Sequence, residues 1–151
     1  MNNETKICLI SSHGGHFREL LDATEDVIGN KYYVTHRTYH TEEILTNYRH
    51  YFIIDPHKSL LKYAINVIQS LYHILREKPN IVISTGAGIA VPTMVICKYL
   101  LRAKIIFIES AANVTNPSET GSFIYKYTDL FLIQWQTMSK FYPKGHYLGL
   151  V

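Results

Sequence analysis

Short apolar runs that alternate with segments of helical spacing constrain the fold of this chain more than any other feature of its sequence. The runs cover residues 7–10, 81–83, 105–108 and 130–133, and their apolar residues are continuous rather than alternating. Strands with continuous apolar residues are buried on both faces, and helical segments between such strands are typical of parallel crossovers. The sequence therefore predicts a three-layer, doubly wound parallel α/β sheet of the Rossmann-like class.

The remaining segments complete this arrangement. Two further strands are predicted over residues 32–34 and 51–54. Helices are predicted over residues 16–27, 41–48, 59–78, from the turn at 84–88 to about 101, and 118–127. With 151 residues, 47% of them hydrophobic, the chain has the length and composition of one globular domain. A single domain over residues 1–151 is predicted.

Charge and cysteine content bear on the class of protein. The 15 basic and 12 acidic residues give a net charge of +3, which is too weak to indicate nucleic-acid binding. Cys8 and Cys97 lie in apolar stretches without a Cys-x-x-Cys pair, so two reduced core thiols are predicted. Residues 1–5 lack the basic start of a signal peptide, and no apolar run approaches the ~20 residues of a spanning helix. We expect a cytoplasmic protein, soluble or peripheral on a membrane.

Three turns are candidates for a ligand site, because ligands of doubly wound sheets bind beyond the carboxyl ends of the strands. They cover residues 12–16, 85–88 and 109–113. In the first turn, Gly14 and Gly15 let the backbone approach a ligand, and the next helix presents free N–H groups. This favours a phosphate or diphosphate, and His16 could take a proton from an attacking hydroxyl. The alternative is a packing turn with His16 as a polar cap.

The second turn, Thr85-Gly86-Ala87-Gly88, repeats this context, and two glycine turns at one sheet edge could hold both ends of a diphosphate. It also raises a rival, a nucleotide- or dinucleotide-binding module. The segment Gly86-x-Gly88-x-x-Val91 is one residue short of the dinucleotide fingerprint, and Glu109 lies about 20 residues further on. Valine at the third small position argues against it. Glu109 could instead bind a sugar hydroxyl, act as a base or cap the following helix.

Several catalytic motifs are missing from the sequence. Its eight histidines form no His-Glu-x-x-His pattern, so scattered surface histidines are predicted and a metal site is not. Neither a Gly-x-Ser-x-Gly elbow nor a Walker lysine occurs. Serine hydrolases and P-loop enzymes are therefore excluded as interpretations.

The long helix over residues 59–78 has two unequal faces. Its polar residues at spacings of three and four form one stripe, and apolar residues cover the rest. So broad an apolar face, with lysines at its start, favours a membrane interface. The alternative is an ordinary buried crossover helix. The polar stripe comprises Lys62, Asn66, Gln69, His73 and Arg76. The residues predicted to contact a membrane are Lys58, Leu61, Lys62, Ile65, Ile68 and Tyr72.

Five ordered motifs together resemble a known family. They are Ser11-Ser12-His13-Gly14-Gly15-His16, Ile83-Ser84-Thr85-Gly86-Ala87-Gly88 with Val91-Pro92, Ile106-Phe107-Ile108-Glu109-Ser110, Pro117-Ser118-x-Thr120-Gly121, and Gln134-Trp135 followed by Lys140-Phe141-Tyr142-Pro143. Over essentially its whole length the chain is similar to the oligosaccharide-biosynthesis family of asparagine-linked-glycosylation protein fourteen. The bacterial members of this family are the PssD-type capsule and exopolysaccharide proteins. His13 departs from the family pattern, in which small residues are common at this place.

The resemblance implies one half of a GT-B glycosyltransferase, similar to the N-terminal half of MurG-like enzymes. A separately encoded PssE-type subunit would bind the UDP-sugar donor. This chain would bind a polyprenyl-diphosphate-linked acceptor at the inner face of the cell membrane, in capsule or exopolysaccharide synthesis, with little or no activity alone. No metal or other cofactor is expected, because such enzymes usually stabilise the leaving diphosphate with helix N-termini and basic groups.

The motifs also assign roles to residues. The acceptor-phosphate residues would be His13, Gly14, Gly15, Thr85, Gly86, Ala87 and Gly88. The catalytic candidates would be His16, as the base, and Glu109. Residues that look exposed and apolar would contact the partner subunit: Trp135, Tyr147, Leu148 and Leu150. Two other classes of protein stay open, a stand-alone nucleotide-binding module and a purely structural scaffold.

Overall fold

A computed structural model describes residues 5–151 of the chain, so the expectation that no signal peptide begins at Met1 falls mostly outside the described residues. The strands in this range are β1 (Lys6–Ser11), β2 (Asn30–Thr35), β3 (His50–Phe52), β4 (Ile81–Gly86), β5 (Lys104–Ile108), β6 (Leu130–Ile133) and β7 (His146–Tyr147). The helices are α1 (Gly15–Ala23), α2 (Tyr39–Leu45), α3 (Leu60–Glu77), α4 (Val91–Ile96) and α5 (Glu119–Ile124). Shorter turns flank them: 3₁₀ turns at Gly88–Ala90, Tyr125–Tyr127 and Gln136–Lys140, and a π-helical turn at Cys97–Leu101.

Over the described residues the strands form one sheet in the order β3-β2-β1-β4-β5-β6-β7. Every neighbouring pair is parallel. The chain winds outward from β1 to β3 and then returns to place β4 beside β1. This is the strand order of a doubly wound nucleotide-binding sheet extended by one strand, so the predicted fold class is confirmed.

Each face of the sheet carries its own apolar core, because successive residues of a strand point to opposite faces. Leu9 lies in one cluster with Phe17 and Leu20 of α1. Cys8, its neighbour in β1, lies in the other cluster with Met94 of α4. The continuous apolar runs of the sequence are thus buried on both sides. Helices cover both faces, as the three-layer prediction requires.

The predicted elements are present, with shifted ends. α1 ends at Ala23 rather than at residue 27. At Thr24 the backbone leaves the helical conformation, and its N–H donates to the carbonyl of Leu21 while its hydroxyl donates to that of Leu20 at 2.6 Å. α2 begins earlier than predicted, since Thr38 and Thr41 form a capping box. The apolar pattern does not predict β7, which is two exposed residues long.

α3 packs with polar residues against the protein and apolar residues toward solvent. Asn66, His73 and Glu77 are at most 5% exposed, whereas Leu61 is 73% and Ile68 is 68% exposed. The interpretation of this segment as an ordinary buried crossover helix is therefore wrong. The predicted polar stripe is divided, since its two basic ends lie in solvent and its centre is buried.

Hydrogen bonds explain how polar residues on the inner side of α3, Asn66 of the stripe and Glu77 at the helix end, can be buried. Asn66 Nδ2 donates to the carbonyl of Ile54 at 2.8 Å and lies 3.3 Å from that of Ile89. The carboxylate of Glu77 accepts from the Tyr51 hydroxyl at 2.6 Å and from Arg49 at 2.8 Å. Rotation of α3 about its axis would carry Asn66 and Glu77 away from these partners and bring apolar side chains in their place, so the hydrogen bonds fix which face points inward.

Candidate functional site

The turns that follow β1, β4 and β5 meet at one edge of the sheet and line a cleft of about 700 Å³. β1 and β4 are neighbours at the point where the winding direction changes, and ligands of open α/β sheets bind in the crevice there. The structure thus brings together the three turns that the sequence analysis identified. The first turn of α5 forms the other wall, with Ser118, Glu119 and Thr120.

The first glycine turn leaves open space at the start of α1. Gly14 has φ +78°, a left-handed conformation that favours glycine. A β-carbon built at Gly14 or at Gly15 would meet no described atom within 4 Å. Among the described residues no side chain caps α1, and the first N–H groups of a helix have no partner within it. This end of α1 therefore has room and unpaired donors for an anion.

His16 lies between this turn and the second glycine turn. Its side chain is 34% exposed and lines the cleft. Nδ1 is buried, with no hydrogen-bond partner among the described residues, and lies 4.0 Å from Glu19 Oε2. The other ring nitrogen, Nε2, is the one left to meet a ligand. Gly86 packs so closely that a β-carbon there would lie 3.5 Å from the imidazole Cε1.

Glu19 is a site residue that the sequence analysis missed. Its side chain is 10% exposed. Oε1 accepts from the backbone N–H of Ala111 at 2.7 Å and from Gln134 Nε2 at 2.5 Å. Glu19 therefore links α1 to the turn after β5 and to the end of β6, with its second oxygen directed toward His16. The spacing His16-x-x-Glu19, which places two side chains on one helix face, was the available signal.

The second glycine turn packs mainly against the first turn, and only part of it faces the cleft. The hydroxyl of Thr85 donates to the carbonyl of His16 at 2.6 Å, and Thr85 is 1% exposed. Gly86 is also buried, with φ +120°. The hydroxyl of Thr85 is thus engaged within the protein, and phosphate binding by this residue stays a prediction. Of the four predicted residues in this turn, Ala87 lines the cleft and Gly88 is exposed beside it.

Glu109 is enclosed rather than open to a ligand. It is 1% exposed, and its carboxylate accepts from the Tyr142 hydroxyl at 2.5 Å and from Asn113 Nδ2 at 2.8 Å. Burial and the contact with Glu109 raise the pKa of Tyr142, so its hydroxyl keeps the donated proton. A β-carbon at Gly121 would overlap Glu109 Oε2. The carboxylate thus holds the loop after β5 against α5. A catalytic role for it stays a prediction, and it offers no open acid for a dinucleotide ribose.

Two other predicted residues lie away from the cleft. His13 is exposed, and its ring lies 5.5 Å from that of His36 rather than among the residues that line the cleft. The expectation that Trp135 is exposed is wrong. Its indole N–H donates to the carbonyl of Ala111 at 2.6 Å, and the ring packs against the core. The other predicted partner-contact residues are exposed, namely Tyr147, Leu148 and Leu150.

The residues predicted to contact a membrane lie together on the outside of the molecule. Lys58 precedes α3, and Leu61, Lys62, Ile65, Ile68 and Tyr72 all lie exposed on α3. Within residues 5–151, no helix combines the length and apolar character needed to cross a bilayer.

Within residues 5–151, the cysteines and metal-ligating side chains form no second candidate site. Cys8 and Cys97 are both free and buried, as predicted for core thiols. Burial raises the pKa of Cys97 to about 12, which keeps its thiol protonated and unreactive. In the part of the chain that the structure describes, no three histidine, cysteine, aspartate or glutamate side chains are grouped closely enough to hold a metal ion.

Comparison with solved structures extends the description of the fold. MurG from Acinetobacter baumannii superposes with a TM-score of 0.70 at 12% identity, over 88% of this chain and 42% of that protein. UDP-N-acetylglucosamine 2-epimerase from Rickettsia bellii gives a TM-score of 0.75 at 10% identity, over 98% of this chain and 45% of that protein. At these identities the likeness concerns the fold alone. It supports the prediction of a fold equivalent to one half of a GT-B enzyme.

Sequence comparison identifies relatives. The human protein named UDP-N-acetylglucosamine transferase subunit ALG14 is 28% identical over 126 residues, which are 80% of this chain and 54% of that protein. The protein of the same name from Debaryomyces hansenii is 34% identical over 104 residues, 66% of this chain and 44% of that protein. The chain thus spans about half the length of these curated relatives. Residues 55–151 match the family described as oligosaccharide biosynthesis protein Alg14 like. Because this match covers more than half of the sequence, the chain belongs to the Alg14-like family of oligosaccharide biosynthesis proteins.

Proposed function

We propose that this chain is the acceptor-binding, membrane-associating subunit of a two-subunit GT-B glycosyltransferase. The observation that carries the proposal is the cleft, where the open glycine turn, the start of α1 and the ring of His16 face one space. Membership of the Alg14-like family supports it, since the curated relatives are named as transferase subunits. Because these relatives are named as subunits of a transferase, we assign the UDP-sugar donor to a separate PssE-type partner.

The acceptor is a saccharide linked to a polyprenyl diphosphate, in the synthesis of a bacterial capsule or exopolysaccharide. Its diphosphate lies at Gly14 and Gly15, where unpaired N–H groups and the positive end of the helix dipole favour an anion. The saccharide then reaches past His16 toward the donor. UDP-N-acetylglucosamine is the first donor to test, because it gives the relatives their name.

His16 acts as the general base. Its Nε2 takes the proton of the acceptor hydroxyl while that oxygen attacks the anomeric carbon of the donor. The bond from this carbon to the UDP oxygen breaks, and UDP leaves with the bonding electrons. Glu19 Oε2 lies 4.0 Å from Nδ1, and its negative charge favours the ring orientation that leaves Nε2 for the acceptor hydroxyl.

The outer side of α3 brings the cleft to the membrane. The exposed charged residues of α3 are Lys62 and Arg76, and both are basic. The acidic residue of this helix, Glu77, is buried. An apolar surface with a positive border suits the interface of a bilayer that contains anionic lipid. The protein would then be peripheral on the cytoplasmic face, close to the lipid-linked acceptor.

The test is a sugar-transfer assay on a polyprenyl-diphosphate-linked acceptor, with a panel of UDP-sugars. It is run with this chain alone, with the small protein encoded beside it alone, and with the pair. We expect transfer by the pair only. Replacing the base, His16→Ala, should lower kcat by about 10²- to 10⁴-fold.

The controls separate the proposal from its rivals. The exposed residue His57 lies before α3, away from the residues that line the cleft, so His57→Ala should leave transfer unchanged. Transfer that survives His16→Ala would reduce this chain to an anchor and scaffold. Tight UDP-sugar binding by this chain alone, with no transfer by any combination, would instead identify a nucleotide-binding module.

A further inference from the structure

A second hollow, which none of the predicted site residues lines, runs between α3 and the helices next to it. It is a groove of about 210 Å³, distinct from the exposed ridge of α3 that carries Leu61 and Ile68. Its lining is apolar apart from one tyrosine hydroxyl. The side chains that form it are Tyr63 and Val67 of α3, Val91, Pro92, Val95 and Ile96 of α4, and Phe123 of α5.

This groove is a neighbour of the polar cleft, with a third hollow between them. A connecting hollow of about 210 Å³ shares Tyr63, Val91 and Phe123 with the groove. It shares Glu119 and Thr120 with the cleft. The path thus starts between apolar side chains and ends at the hydroxyl and carboxylate groups of α5, beside the exposed Gly88. A ligand that fits the whole path has an apolar chain at one end and a polar group at the other.

We propose that the groove between α3, α4 and α5, here called the tail groove, holds the isoprenoid chain of the acceptor next to its diphosphate. This inference rests on the proposed function and adds a specificity for the lipid part of the substrate. The carboxylate of Glu119, between the connecting hollow and the cleft, would repel a diphosphate. We therefore place the diphosphate beyond it, at Gly14 and Gly15. The tail groove takes two of its side chains, Tyr63 and Val67, from α3, the helix whose outer side we assign to the membrane.

The tail groove is tested by ligands that differ only in chain length. The probes are inorganic diphosphate, dimethylallyl diphosphate and farnesyl diphosphate, titrated below their micelle concentrations into the full chain by calorimetry. Wild-type protein should bind farnesyl diphosphate at least tenfold more tightly than dimethylallyl diphosphate, equal to about 1.4 kcal/mol. The reason is that the longer chain removes more apolar surface from water.

Variants locate this preference in the groove. Phe123 is 48% exposed, so Phe123→Glu should fold and lose most of the preference for the farnesyl chain, with unchanged affinity for dimethylallyl diphosphate. Val67→Thr, which nearly preserves shape, should reduce the preference about threefold if the groove is dry around the chain. The matched control is Ile28→Glu, at a residue that is 95% exposed. Ile28 precedes β2, so it lies at the amino ends of the strands, whereas the cleft lies at their carboxyl ends. This variant should keep the full preference.

The outcomes distinguish this inference from the proposed function. Equal affinities for the two prenyl diphosphates in wild-type protein would overturn the tail groove and leave the diphosphate cleft standing. A preference that Phe123→Glu leaves intact would do the same. Loss of co-purification with the donor subunit in Phe123→Glu, with the chain-length preference unchanged, would make the groove a protein interface and overturn the lipid assignment. Failure to bind any of the three diphosphates would overturn both proposals.

Discussion

The helices α1 and α3 cover opposite faces of one sheet, and they divide their residues in opposite ways. α1 buries Phe17 and Leu20 and turns its polar side to solvent, as amphipathic surface helices normally do. α3 buries Asn66 and His73, and leaves Ile68 and other large apolar residues outside. Both helices nevertheless fit the same parallel sheet with the same kind of crossover.

This difference indicates which part of each helix contacts a ligand or another surface. The apolar side of α1 packs in the core, so this helix contacts a ligand through its N-terminus, which faces the cleft. A helix whose polar side is tied inward by hydrogen bonds leaves its apolar side to be covered by another surface. Contiguous apolar patches on soluble proteins mark such interaction sites. We therefore assign substrate chemistry to α1 and surface attachment to α3.

The strongest test of this contrast is Asn66→Leu on the inner side of α3. By ordinary patterning an apolar residue facing a core should stabilise a protein. Here it leaves the partly buried carbonyl of Ile54 and the buried carbonyl of Ile89 without the Asn66 donor, and each buried group left unsatisfied costs about 1–3 kcal/mol. We expect the free energy of unfolding to fall by about 3 kcal/mol in urea denaturation. Ile68→Asn, at a residue of the same helix that is 68% exposed, is the control and should change the free energy of unfolding by less than about 0.5 kcal/mol. Equal effects would end the contrast.

The inner side of α3 should also make stability depend on pH. Burial lowers the pKa of His73 to about 4, below the value of about 6.5 for an unfolded histidine. Because the folded state binds the proton less tightly, stability is full above pH 6.5 and is lost as the pH falls toward 4. Between pH 7 and pH 5 we expect a loss of about 2 kcal/mol.

Replacing the titrating ring isolates this effect. His73→Phe keeps an aromatic ring against Tyr51, whose ring lies stacked on it, and should remove most of the loss between pH 7 and pH 5. His57→Gln changes an exposed histidine that lies before α3, so it should preserve the wild-type slope. A slope that is the same in all three proteins would assign the pH dependence to other groups.

α1 has one polar side chain that breaks its own pattern, Glu19, and its substitution should affect catalysis rather than folding. Glu19→Gln keeps an acceptor for Ala111 and removes the charge beside His16. We expect kcat of the two-subunit enzyme to fall about tenfold, equal to about 1.4 kcal/mol of transition-state stabilisation, with KM unchanged. Asp22→Asn is the control, because Asp22 lines the same cleft and pairs only with the exposed Arg18 in the described structure. A rise in KM alone would make Glu19 part of acceptor binding.

The sequence predicts the sheet and the position of the cleft because both follow from local patterns. Continuous apolar runs mark buried strands, and glycines after two of these strands mark the edge where ligands bind. The pattern could not predict which side of α3 faces inward, since Asn66 finds its partners at residues 54 and 89, distant in the chain. For the same reason Glu109 and Trp135 look available in the sequence and are engaged in the structure, by Tyr142 and by Ala111.

The smallest expected effect concerns a single charge on the outer side of α3. Lys62 is exposed beside the apolar ridge, and a lysine near an anionic membrane contributes about 1 kcal/mol of binding. Lys62→Gln should therefore weaken binding to vesicles with anionic lipid about fivefold in a sedimentation assay, and the difference should shrink at high salt because salt screens exposed charges. Lys140→Gln removes an exposed charge after β6 and should bind like wild type. If both variants lose the same affinity, the attraction is that of net charge alone, and α3 loses its assignment as the surface that attaches the protein to the membrane.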